Sequence, residues 1–151
     1  MLRITKEADY GVMLLAAMAA RREGAVHSAK EASAWTGLPL PMVSKILRSL
    51  AREGLLTSHR GAAGGYSLDQ RPDAITVADV IRALEGPIAL VQCLTDPGAC
   101  EQEACCPTRL NWNRISNVVE RALEEVTVAD MVPPREGTLL EVELSSHGET
   151  Q

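Results

Sequence analysis

Apolar residues recur at three- and four-residue intervals through the first part of the chain, the spacing that predicts helices. From Thr5 to Arg22, Val12, Leu15, Ala16 and Ala19, joined by Met13, Leu14 and Met18, predict a helix buried over most of its circumference. His27 and Ser28 introduce a second helix, with Ser28 and Glu31 in capping-box spacing and Gly37 ending it after Thr36. A third helix begins near Pro41, where proline suits a first turn, and runs to Gly54. Val43, Ile46, Leu47 and Leu50 form its apolar face, and Ser44, Lys45, Arg48 and Arg52 lie opposite. The period then changes. Leu55 to His59 predicts a strand, Arg60 to Gly65 a glycine-rich turn, and Tyr66 to Leu68 the returning strand.

Three helices followed by a two-stranded hairpin make a winged helix, in which the third helix enters the DNA major groove and the hairpin tip meets the backbone or the adjacent minor groove. The second half continues with a short helix from Ile75 to Leu84, capped by Thr76 and closed by Gly86 and Pro87. A cysteine-bearing loop follows. From Asn111 to Val126 a longer amphipathic helix places Trp112, Ile115, Val119, Ala122 and Val126 on one seam, suited to meeting a copy of itself or to packing on its own domain. Thr-Val-Ala-Asp occurs at Thr76 to Asp79 and again at Thr127 to Asp130, two similar helix starts too short to argue a repeat. From Pro133 the chain is polar and expected to form a loose tail despite the alternating Leu140, Val142 and Leu144. The fold class is therefore mainly α: a winged helix-turn-helix over residues 1–72, a loop and long C-terminal dimerisation helix over 73–132, and a tail over 133–151.

Composition narrows this picture. A chain of 151 residues supports one folding unit, and with 3% aromatic residues and no Phe its core must be aliphatic. No apolar run approaches the roughly 20 residues of a membrane span, and Glu7 and Asp9 precede the first apolar stretch, unlike a signal peptide, so no membrane association and a cytoplasmic location are expected. The net charge of -5 hides a dipole: residues 1–72 hold ten Lys and Arg against six Asp and Glu, and residues 73–151 hold five against fourteen. A basic face on an acidic body suits a double-stranded DNA partner. Ser44 and Lys45, near the start of the third helix, are placed to reach base edges, with Arg48 one turn on toward phosphate. Arg60 and Gly61 display a cation at a tight turn suited to a narrow minor groove.

Cys93, Cys100, Cys105 and Cys106 fall within fourteen residues, and no cysteine occurs elsewhere. Thiolates are soft ligands for iron-sulfur clusters or zinc, and gaps of six and five residues between Cys93, Cys100 and Cys106 resemble a cluster cradle more than a zinc knuckle. Cys105 is the odd one, because neighbouring side chains project in different directions. A thiol redox switch competes with the metal reading. No nucleophile–base pair, phosphate-binding glycine loop or dinucleotide fingerprint is present, so an enzyme is not expected.

Leu2-Arg3-Ile4-Thr5 leading into Asp9-Tyr10, the wing from Arg60-Gly61 to Gly64-Gly65-Tyr66, the segment Ile75 to Ile81, the cysteines, and Thr127 to Met131 together resemble the IscR and NsrR kind of winged-helix repressors, most closely those regulating the SUF iron-sulfur assembly system. The resemblance covers roughly residues 1 to 132. It implies a homodimer crossed by the long C-terminal helices and an iron-sulfur cluster of two-iron or four-iron type, held by Cys93, Cys100 and Cys106 of one subunit and a fourth ligand that varies among members. In the IscR branch that ligand is a histidine three residues after the last cysteine, where this chain has Arg109. In the NsrR branch it is an aspartate in the partner's first helix, the place Asp9 occupies here. The expected function is redox- or cluster-sensing control of iron-sulfur assembly genes through an operator. A nitric-oxide-responsive repressor of the same kind and a zinc- or thiol-stabilised interaction module are the alternatives.

Overall fold

A computed structural model describes residues 3–134. Helix α1 spans Lys6–Ala19, α2 Ala29–Thr36 and α3 Leu40–Arg52, followed by strands β1 Leu56–His59 and β2 Gly65–Leu68, helix α4 Val77–Glu85 and helix α5 Arg109–Glu124. Local chemistry sets most of these boundaries. The Thr5 hydroxyl accepts the Ala8 amide at 3.2 Å and starts α1 one residue later than expected. In α2, Ser28 and Glu31 form the capping box reciprocally, and Gly37 closes the helix with φ 71°. The expected extension of α1 to Arg22 is corrected. The Arg21 amide bonds back to Met18, and a turn closed by Ala25 onto Arg22, with Gly24 at φ 70°, carries the chain away.

The core is aliphatic. Leu14, Leu15, Val43, Ile46, Leu47 and Leu50 are fully enclosed, so α3 buries the whole apolar face its sequence displays. Ile75, Val80 and Val128 join the same cluster. Met13, expected on the buried surface of α1, is instead 41% exposed, because α1 is covered by α2, α3 and α4 and not all round.

The hairpin pairs Leu56 with Leu68 and His59 with Gly65. Gly65 belongs to the returning strand and not to the turn, where Gly61 sits at φ 106° and its carbonyl accepts the Gly64 amide at 3.0 Å. A third segment joins the pair: the His27 amide donates to Tyr66 and the Tyr66 amide to His27, both at 2.8 Å. This brings the His27 carbonyl oxygen within 2.3 Å of where a Cβ on Gly65 would stand. Gly65→Ala should therefore push the entry of α2 off the wing and lower stability by about 1–3 kcal/mol, measured by urea unfolding, whereas Ala63→Gly should cost little.

The two Thr-Val-Ala-Asp segments meet each other. In each, the Asp side chain accepts the Thr amide, at 2.9 Å for Asp79 and 2.8 Å for Asp130, and the Thr hydroxyl accepts the Asp amide in return. The segments pair antiparallel, with Val77 donating to Val126 and Val128 to Ile75, both at 2.8 Å. Only the first starts a helix. The second caps a turn running to Val132, which Pro133 and Pro134 cannot extend.

Helix α5 starts at Arg109 and ends at Glu124, two residues earlier at each end than expected. It is fastened to α4 through Arg82, which pairs with Asp79 at 3.0 Å and Glu120 at 2.8 Å and also with Glu124. Ser116, its one fully buried residue, accepts the Leu90 amide at 3.1 Å. A separate stripe of the helix, carrying Ile115, Val118 and Ala122 with Trp112 at its edge, is exposed, and Val126 is exposed just beyond the helix end. Val118, at 60% exposed, belongs to this stripe, whereas Val119, expected on the seam, is half-buried. The tail residues Leu140, Val142 and Leu144 lie outside the described residues.

Candidate nucleic-acid interface and cysteine loop

Burial of Val43, Ile46, Leu47 and Leu50 fixes the rotation of α3, so the positions opposite them must face solvent. Lys45, Arg48 and Arg52 are exposed there and Ser44 is half-buried. Arg60 and Gly61 are exposed at the hairpin tip. Among the described residues Arg48 and Arg60 pair with no carboxylate, whereas Lys45 donates to Glu7 at 2.9 Å. That pair ties α1 to α3. The side chain of Lys45 stays 66% exposed, so the contact is weak and open to competition from phosphate or a base edge. Helical periodicity gives no sign of it, since Glu7 and Lys45 are 38 residues apart.

The four cysteines occupy different surroundings. Cys93, Cys100 and Cys106 border one cavity of about 540 Å³, together with Val91, Arg109 and Trp112. Cys105 is not part of its lining, and its sulfur faces the Gln102 carbonyl at 3.7 Å and the Gln102 side-chain oxygen at 3.5 Å. Among the described residues no three Cys, His, Asp or Glu side chains form a closed ligand set, so the thiols share a cavity without converging. Asp9, exposed in the first turn of α1, does not line this cavity.

Arg109, noted in the sequence only as replacing a histidine, organises the loop. It pairs with Glu103 at 2.9 Å and donates to the Cys93 carbonyl at 3.5 Å, while Glu103 accepts the Gly98 amide at 2.7 Å. One arginine thus connects both sides of the loop to the start of α5. The Thr108 hydroxyl, 3.4 Å from the Cys106 sulfur, and the amides of Thr108 and Arg109 hold the Cys106 thiol below its usual pKa, favouring the thiolate that ligation or redox exchange requires. Three thiols on one cavity, one of them biased toward thiolate, are a donor set suited to a soft metal centre.

Residues 4–134 match the family described as Rrf2, iron-dependent transcriptional regulator. The chain is similar to the HTH-type transcriptional regulator CymR of Bacillus subtilis, at 32% identity over 136 residues, covering 90% of this chain and 94% of that protein. It is similar also to protein rrf2 of Nitratidesulfovibrio vulgaris, at 31% over 131 residues, covering 87% of each. Among solved structures, CymR (YrzC), the global cysteine regulator of B. subtilis, superposes with a TM-score of 0.67 at 34% identity, covering 87% of this chain and 97% of that one. IscR of T. potens gives 0.65 at 29%, covering 86% and 85%. The sequence points to the IscR and NsrR kind, but the likeness to CymR exceeds that to IscR in both identity and superposition. No helix among the described residues is long and apolar enough to cross a membrane. The chain belongs to the Rrf2 family and is a winged-helix, DNA-binding regulator of transcription rather than an enzyme.

Proposed function

We propose that the protein is a homodimeric repressor whose operator affinity is set by an iron-sulfur cluster, and that its targets include iron-sulfur assembly genes of the SUF kind. One observation carries this reading: Cys93, Cys100 and Cys106 line a common cavity from which Cys105 is left out. Those three thiolates would hold the cluster, and Asp9 of the partner subunit would supply the fourth ligand. When bound, the cluster supplies a centre that oxidation or iron loss alters. This chain's residues do the rest: Arg109 and Glu103 hold the loop against the start of α5, and the exposed apolar stripe of α5 receives the same stripe of a second copy. Iron, sulfide and zinc content with the visible spectrum of anaerobically purified protein test it. A brown protein with matched iron and sulfide supports the proposal; a colourless one with stoichiometric zinc overturns it.

A thiol switch is the second reading, favoured by the exposure of Cys100 and Cys105. CymR of Staphylococcus aureus, 25% identical with a TM-score of 0.64, has been solved in an oxidized form. For a switch of that kind, peroxide should change DNA binding by metal-free protein and a dithiol should restore it.

Ser44, Lys45 and Arg48 on α3, with Arg60 and Gly61 on the wing, make the DNA contacts in this reading. Lys45→Ala should cost about 1–3 kcal/mol and blur discrimination between operator and scrambled duplex. Arg60→Ala should lower affinity for both and flatten the salt slope by roughly one unit. Titrations across salt check both, and unchanged curves for the two variants would contradict this docking.

A further inference from the structure

The first turn of α3 is apolar and faces solvent. Leu40, Pro41 and Met42 are all exposed, Leu40 at 43% and Met42 at 38%, while the next residue, Val43, is fully enclosed with Ile46, Leu47 and Leu50. The core positions of this helix are therefore filled without Leu40 and Met42, and neither is needed to cover α3. Rotation of the helix brings Leu40 out beside Ser44, and Met42 on the other flank near Lys45. Pro39 and Pro41 fix the backbone on either side of Leu40, so the turn meets a partner with little freedom left to lose. No acidic residue occupies this turn, whereas α1, α2 and α4 each carry at least one in theirs.

In winged-helix and helix-turn-helix docking, the N-terminal residues of the major-groove helix meet base edges. The groove's apolar feature there is the C5-methyl group of thymine. We propose that Leu40 and Met42 are specificity-determining residues that read thymine methyl groups in the operator major groove. Lys45 and Arg48, outward on the same helix, supply the hydrogen bonds and phosphate contacts that bring the turn into place. The inference uses the family's DNA binding and is independent of whether the cysteines hold a cluster.

The test uses the full-length protein and a duplex that it selects from a random library. Each thymine of the selected half-site is replaced in turn by deoxyuridine, which removes the methyl group and leaves every hydrogen-bonding edge intact. The parent should lose about fourfold in affinity per contacted methyl, the factor corresponding to roughly 0.8 kcal/mol per buried carbon group. Leu40→Ala and Met42→Ala should each bind the selected duplex more weakly and become indifferent to one such replacement. Lys45→Ala should keep the full deoxyuridine penalty, separating methyl reading from general loss of affinity. Thermal melting of each variant confirms that it folds, as expected for exposed positions. Equal binding of thymine and deoxyuridine duplexes by the parent, penalties undiminished in both apolar variants, or a selected half-site without thymine would each overturn the proposal. Failure to select any duplex would count instead against DNA binding itself.

Discussion

Cys93→Ala, Cys100→Ala and Cys106→Ala should each abolish cluster retention under anaerobic conditions, while Cys105→Ala keeps most of it. Three of the four thiols share a cavity, and one outside it cannot replace a lost ligand without rebuilding the short turn at Glu103–Cys105. Two remaining thiolates would leave a cluster with positions open to water. Asp9→Ala should yield a labile or spectrally altered cluster and not an absent one, since a carboxylate is a harder and weaker ligand than thiolate. Iron and sulfide analysis with visible absorbance on the five variants checks this. If Cys105 proves essential and Cys106 dispensable, the ligand register is wrong by one residue.

Ile115→Glu should turn the proposed homodimer into a folded monomer. Ile115 sits at the middle of the exposed stripe of α5, between Trp112 and Val118, while a separate side of the helix is held by Ser116, Glu120 and Glu124 against α4 and its following loop. A two-fold interface brings the substitution in twice, so two carboxylates would be buried together without partners. An uncompensated buried charge costs about 3–5 kcal/mol, enough to raise the dimer dissociation constant by at least a hundredfold. The substitution lies in solvent in the single chain, so helicity by circular dichroism should persist. Sedimentation velocity across concentration reads the outcome, and a dimer as tight as the parent's would show that α5 does not form the interface.

These expectations rest on features of unequal visibility in the sequence. The apolar face of α3, the capping box at Ser28–Glu31 and the Thr76 cap are legible because their partners lie within one or two helical turns. The exclusion of Cys105 from the cavity follows a local rule of the same kind, that adjacent side chains diverge. The Gly65–His27 approach, the Glu7–Lys45 pair and the meeting of the two Thr-Val-Ala-Asp segments are long-range, and no period or spacing announces them. Met13 and Val119 depart from the sequence expectation for a related reason. The number of sides from which a helix is covered depends on where distant elements dock, and a wide apolar arc does not contain that information. Arg109 stands out in the sequence only as a missing histidine, and its role in the loop emerges once Glu103 and the Cys93 carbonyl are beside it.

The most direct measurement titrates cluster-loaded protein, and the same preparation after chelation has stripped its iron, against the selected duplex at one fixed salt concentration. Coupling between a sensor site and a binding surface ordinarily amounts to about 1–3 kcal/mol, so the two curves should separate by roughly 5- to 150-fold, and Cys105→Ala should follow the parent in both states. Coincident curves from preparations that differ in iron and sulfide would contradict the account, since the cysteine loop would then have no influence on the helix and wing that meet DNA.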